Sequence, residues 1–395
     1  MDETFQKCIK ATREVGIRYL WIDCLCIIQD SEEDWQLEAG IMEQVYSNCY
    51  LNIAASESSN GSEGLFRERD PGSAGSAYVQ ISDEQGLLCY GRPSLARRLG
   101  TRAWVVQERF LSPRTVHYLE NRLVWECSES FTLEGLPAGV NLRQNATTIF
   151  KQHNGSIATA PLSPDKLYKV YELWDTLVIR YIMGRLSFSS DRPIAVAGIA
   201  RVICRHLKLA PSDYHSGLWR PRFVEGLCWM VSYCRRKTKQ GFINFHQERL
   251  SGIPTWSWLS VDREIWQDHC GRSGNCNYTT PPELIELKTV SSGDPFGPVS
   301  SSLVRLKGPL CRASISVGSR LAGIPADYNE SERWNMTVNN VTCQSPGTCD
   351  ITFDSCRGQH LGNVLRDPVY LLAVRAAGVH EGRSRFDTLV KTFNP

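Results

Sequence analysis

Residues 16–35 read GIRYLWIDCLCIIQDSEEDW. The run is apolar for most of its first half, Arg18 apart, breaks at Asp23, resumes as LCII and ends in a block of acids. Tyr19 to Cys24 is rich in strand-forming types and predicts a buried strand with Asp23 at its carboxyl end. Ser31 fits a helix N-cap, with Glu32, Glu33 and Asp34 in the first turn where the helix dipole favours them. That predicts a helix from Ser31 to about Tyr46. Upstream, Phe5, Cys8, Ile9, Thr12 and Val15 share one side of a helix over residues 3–16, which Gly16 stops. Downstream, Tyr50–Ala55 reads as a second short strand. Helix and strand alternate, so the expected N-terminal fold is an α/β domain with a mostly parallel sheet and flanking helices.

Residues 56–75 are rich in Ser, Gly and charge and read as a loop, and 78–90 as a hairpin. A helix is expected from Thr101 to Leu111, stopped by Ser112-Pro113. Strands Thr115–Leu119 and Arg122–Cys127 follow, with Glu120-Asn121 as their turn. These elements give a first domain over 1–134. Residues 135–165 are dominated by Asn, Thr, Ser, Gly and Pro and read as a linker or long loop. Trp174, Leu177, Val178, Tyr181 and Ile182 recur at helical spacing, so 166–250 is expected to be helical. From 251 to 395 the pattern is β-rich.

The 395 residues carry 44 basic and 42 acidic side chains, a net charge of +2. That balance gives no reason to expect nucleic acid or an anionic membrane as partner. No run is long and apolar enough for a membrane span, and MDETFQKCIK is not a secretory signal. The chain is therefore read as cytoplasmic, with its seven N-x-S/T sequons unglycosylated. The fifteen cysteines are odd in number and follow no framework. Cys24, Cys26, Cys49 and Cys204 sit in apolar patterns and are read as buried, reduced thiols. Cys343, Cys349 and Cys356 lack paired zinc spacing, and no metal site is expected.

Three blocks carry a family resemblance. The first is Tyr19–Asp23 with Leu25–Asp30, Asp34-Trp35, Glu38, Met42 and Tyr46. The second is Arg102–Arg109 with Leu111–Arg114 and Trp125–Cys127. The third is Trp174 and Tyr181, Gly198–Ala200, Tyr214, Gly217–Trp219 and Pro254–Trp258. On these the chain resembles the fungal heterokaryon incompatibility (HET) domain proteins. In that family the domain opens with an upstream strand and a Ser/Tyr-x-x-Trp-Gly motif. This chain opens in the helix that follows, so the domain is expected to lack its first strand.

The resemblance implies a role in nonself recognition, where the domain triggers programmed cell death, and a remote, TIR-like similarity. Two functions follow. One is a signalling module that binds protein partners, by self-association or through another incompatibility protein. The other is an enzyme that cleaves NAD as substrate. A third reading is an inactive truncated paralogue. No cofactor is implied.

Glu38 and Glu108 are the candidate catalytic acids, and Asp23, Asp34, Trp35, Arg102, Trp104, Gln107 and Arg109 the surrounding candidates. Trp35, Glu38, Met42 and Val45 fall on one helix face, so Glu38 is expected to point inward and to need Arg102 or Arg109 as partner. Glu108 lies one turn beyond Trp104. If it approached Glu38, one of the two would have a raised pKa, the condition for acid–base work. The structural alternative is a pair of arginine-bound acids. Asp23 either faces a site or caps a loop. Cys26, with no histidine nearby in sequence, is read as core.

Overall fold

The computed structural model describes residues 1–69, 77–80, 86–89, 95, 98–135, 163–227, 229–231, 237–238, 241–242, 250, 252–262, 265–267, 283–307, 310–318, 333–338, 341–344 and 369–372. It divides into two compact units, Met1–Ala210 and Pro211–Pro395.

The first unit opens with α1 (Glu3–Glu14), a helical turn α2 (Asp23–Cys26) and α3 (Glu32–Ser47). The Ser31 hydroxyl accepts the Asp34 N–H and caps α3, as the sequence predicts. The Tyr19–Cys24 strand does not form. A strand needs a ladder neighbour, and among the described residues nothing pairs with this segment. The Asp23 carboxylate instead accepts the Cys24 N–H, and the Ile22 carbonyl accepts from Leu25 and Cys26. Asp23 thus opens a turn rather than ending a strand, the local competition for backbone that short acids offer. Tyr19 is 80% exposed, Leu25 54% and Ile28 58%. Cys24 and Cys26 are exposed too, against the core assignment, whereas Cys8 and Cys204 are buried.

The sheet is four-stranded, in the order β1 (Asn52–Ala54), β4 (Arg114–Tyr118), β5 (Leu123–Cys127), β6 (Phe131–Leu133). Only β1 and β4 run parallel; β4–β5 and β5–β6 are antiparallel. The expected mostly parallel sheet is thus corrected to a mostly antiparallel one. Tight turns join β4 to β5 and β5 to β6, and such connections permit no other sense; the long excursion from β1 to β4 permits the parallel pair. Between them lies a separate antiparallel pair, β2 (Ala77–Gln80) with β3 (Gly86–Cys89), the expected hairpin. Its turn, 81–85, and most of the expected linker, 136–162, lie outside the described residues.

Helices α4 (Ala103–Leu111), α5 (Pro164–Ile182) and α6 (Arg192–Leu207) complete the unit. The α3, α4 and α6 helices pack on one another, and α5 packs on α4 and α6. On α5 the stripe Trp174, Leu177, Val178, Tyr181 is buried as its spacing predicts. Where α5 ends, Gly184 lies so close to α4 that a Cβ there would come within 2.5 Å of the Ala103 Cα. The Ala103 N–H donates to the Arg185 carbonyl at 3.0 Å across this contact.

Beyond α6, where the second unit begins, the described residues of the expected helical stretch hold only short helical turns, Phe223–Gly226 among them, and short strands. Tyr214-His215 and Leu218-Trp219 form a hairpin around Ser216 (φ 43°) and Gly217 (φ 91°). Two consecutive positive φ values make the turn that matches strand twist. Within the part expected to be β-rich, residues 255–261 (TWSWLSV) contain a 3₁₀ turn at Trp258–Ser260. The Trp258 indole N–H donates to the Gly217 carbonyl at 3.0 Å, and that of Trp229 to the Trp256 carbonyl at 2.9 Å. These tryptophans are core. The expected β character appears in the antiparallel pair Glu283–Ser291 with Val299–Lys307.

Candidate functional site

Two carboxylates of the first unit stand in contrasting surroundings. Glu108 lies on the α4 turn after Trp104 and is partly exposed. Loss of water around its carboxyl raises its pKa to about 7, helped by the Asp23 charge and opposed by Arg102 and by a hydrogen bond with Tyr46. The Tyr46 hydroxyl is pushed well above its usual pKa by burial and by the neighbouring Glu108 and Asp23. The Tyr46 ring meets Trp21 edge-on, with centroids 5.8 Å apart. Three candidates from the sequence, Asp23, Arg102 and Glu108, are thus brought together, with Tyr46 added. An acid with a pKa near neutrality can both give and take a proton at the pH of a cell.

Glu126 on β5 is fully buried. Arg109 donates to it in bidentate fashion, Nε to Oε2 at 2.7 Å and Nη2 to Oε1 at 3.0 Å. The Nε2 atom of His117 lies 3.3 Å from Glu126 Oε2, and its Nδ1 lies 3.2 Å from the Ser56 hydroxyl. Arg180 stands close enough that burial and the Arg109 charge lower its pKa, with Glu126 opposing. The order Ser–His–carboxylate is that of a nucleophile relay. Here all three side chains are buried, so the network locks α4 to the sheet.

The remaining candidates do not converge on Glu108. Glu38 is half-buried, and its expected partner Arg109 is bound to Glu126. The buried stripe of α3 is Ala39, Met42 and Glu43, one position round from the expected face. Its inward acid is therefore Glu43, which pairs with Arg205 and lies 3.9 Å from Arg201. Gln107 faces α6, accepting the Gly198 N–H at 3.1 Å. Trp104 hydrogen-bonds Asp191, whose pKa burial raises. Asp34 accepts the Ile28 N–H at 2.8 Å and so ties the 23–28 segment to α3. Trp35 is half-buried on α3.

Sequence reasoning assigned no role to Tyr46, Glu43, His117, Glu126 or Ser56. Two of these left a signal: along β4 and β5 alternate residues are buried, and His117 and Glu126 fall in those buried positions. A polar pair in a period-two core stripe calls for a partner. Among the described residues no group of His, Cys, Asp and Glu could hold a metal ion, and no helix is long and apolar enough to cross a membrane.

Residues 1–108 match the family model described as heterokaryon incompatibility protein (HET), so this stretch is a HET domain. No curated protein and no solved structure matches the chain.

Proposed function

We propose that this chain, with its HET domain at residues 1–108, is an effector of heterokaryon incompatibility that couples nonself recognition to cell death through protein contacts. The observation that carries this reading is the segment from Tyr19 to Ile28. It bears the apolar residues of a core strand yet leaves Tyr19, Leu25 and Ile28 more than half exposed. Apolar side chains left this exposed within ten residues of one another support a contact with another protein.

A second reading, an acid–base enzyme acting on a glycosidic bond such as that of NAD, is favoured by Glu108. A carboxyl with a pKa of about 7 beside Tyr46 and Arg102 suits protonation of a leaving group or activation of water. Inducible expression in a filamentous fungus separates the two, with viability and NAD followed at matched protein abundance. Under the first reading the wild-type chain kills without NAD loss, and Tyr19→Ser/Leu25→Ser/Ile28→Ser abolishes killing while Glu108→Gln does not. Killing with NAD loss that Glu108→Gln abolishes selects the enzyme. Viable cells with abundant wild-type protein overturn both.

A further inference from the structure

The outer face of α3 carries chemistry that neither reading uses. Opposite the buried Ala39–Met42–Glu43 stripe, Glu33, Leu37, Gly40 and Gln44 fall at i, i+4, i+7 and i+11, an exposed line along the helix. Glycine is, after proline, the residue least suited to a helix interior. The fold does not require this one: a Cβ at Gly40 would meet nothing within 4 Å. Gly198 on α6 is the contrary case, since a Cβ there would come within 2.5 Å of the Gln107 Oε1. One turn from Gly40, Leu37 is 64% exposed. Ile28 extends the same surface, because its N–H is held by Asp34, one turn before Leu37. The charge there is one-sided. From Tyr19 to Phe66 the sequence holds nine acids and no lysine, arginine or histidine. Asp30, Glu32 and Glu33 are exposed, and among the described residues none of them makes an ion pair; Glu32 accepts from the Gln36 amide instead.

We infer that the outer face of α3 is a docking site for a basic amphipathic helix of a partner protein, which crosses α3 at Gly40. This rests on the protein-contact reading above and names the chemistry of its partner. The glycine chooses a helix as occupant. Two helices approach as closely as the side chains at their crossing allow, and a missing side chain admits a ridge of the partner into the gap. An apolar residue of the partner seated beside Leu37 gives the contact a buried centre, as in helices that dock through anchors one turn apart. The acids choose the sign. Asp30, Glu32 and Glu33 rim the amino-terminal end of the face, so lysines or arginines flanking the partner's apolar stripe complete the charges, and an acidic helix meets repulsion. A second copy of this face would bring acids and no base.

Fluorescence anisotropy of the full chain with a labelled synthetic amphipathic helix of leucine and lysine tests this. The expected result is saturable binding that weakens as salt rises. The same helix with glutamate for lysine should not bind, nor should the same residues scrambled out of helical period. Leu37→Ser and Gly40→Gln should each weaken binding by about tenfold or more. Gly40→Gln also places a better helix former in open space, so its urea midpoint should rise while its binding falls, a combination that damage to the fold does not produce. A lysine helix that fails to bind overturns the inference. So does binding indifferent to both variants, or equal binding of the scrambled or glutamate peptide. Self-association of the chain that Leu37→Ser abolishes would seat a second copy on this face and overturn it as well. The fungal assay keeps the two ideas apart. Binding that depends on Leu37 and Gly40, in a chain that kills no cells, removes the functional reading alone. Killing that needs Tyr19, Leu25 and Ile28 but survives Leu37→Ser and Gly40→Gln removes the α3 site alone.

Discussion

Glu126 and Glu108 are the same side chain under opposite rules. Glu126 has no exposure to water, but the fork of Arg109 reaches both of its oxygens and His117 approaches the second. Glu108 keeps some access to solvent, yet Arg102 only partly offsets its loss of hydration, and its carboxyl moves up to about 7. The two differ in whether a guanidinium with matched geometry reaches both carboxylate oxygens. The first acid holds the fold together, and the second is free to exchange a proton.

The sharpest way to break this contrast is Glu126→Gln. It leaves Arg109 facing a neutral amide, with Arg180 close by and already carrying the cost of burial. Removing one partner of a buried pair costs about 3 to 5 kcal/mol. Urea unfolding should show a midpoint far below wild type; an unchanged midpoint would mean that Arg109 finds another acceptor.

Glu108→Gln tests the other side, through pH. The folded carboxyl titrates near 7 against an ordinary value of 4.5, so the folded state binds the proton more tightly than the unfolded one. Stability is then greatest below the unfolded pKa, falls as pH rises from about 4.5 to about 7, and levels off above. The loss should be on the order of 1 to 2 kcal/mol once partial exposure is allowed for. Denaturation midpoints measured from pH 4 to pH 8, roughly the span of the two pKa values, should slope down for wild type and flatten at this step for the variant. Equal slopes would place the titration elsewhere.

The smallest expected effect comes from Ser31→Ala. The Ser31 hydroxyl caps α3 through the Asp34 N–H, and α3 carries both Glu43 and Tyr46. Loss of an N-cap costs about 1 kcal/mol. The unfolding midpoint should fall slightly at every pH, leaving the Glu108 step in place. A cap variant that also moved that step would tie the Tyr46 end of α3 to its start.

Much of the local structure was legible. Apolar spacing placed α1, α3, α4 and α5, Ser31 announced its cap, and the turn at Glu120-Asn121 separated β4 from β5. Of the candidate site, Glu108, Asp23 and Arg102 were found together. Trp35, Met42 and Val45 pointed to the Glu38 face, but α3 turns its Ala39–Met42–Glu43 stripe inward, and Arg205 supplies the charge that lets Glu43 go there. That arginine lies on α6, too distant in sequence for spacing to reveal.

The sequence by itself determined the periodicities, the caps, the turns and the HET domain at residues 1–108, because each rests on neighbours within a few positions or on a motif. Tertiary structure alone decided which way the sheet runs, which acid Arg109 serves and whether Tyr19–Asp23 becomes a strand. Those outcomes depend on pairing between residues remote in the chain. A strand exists only with a ladder partner, and a buried charge only with its counterion.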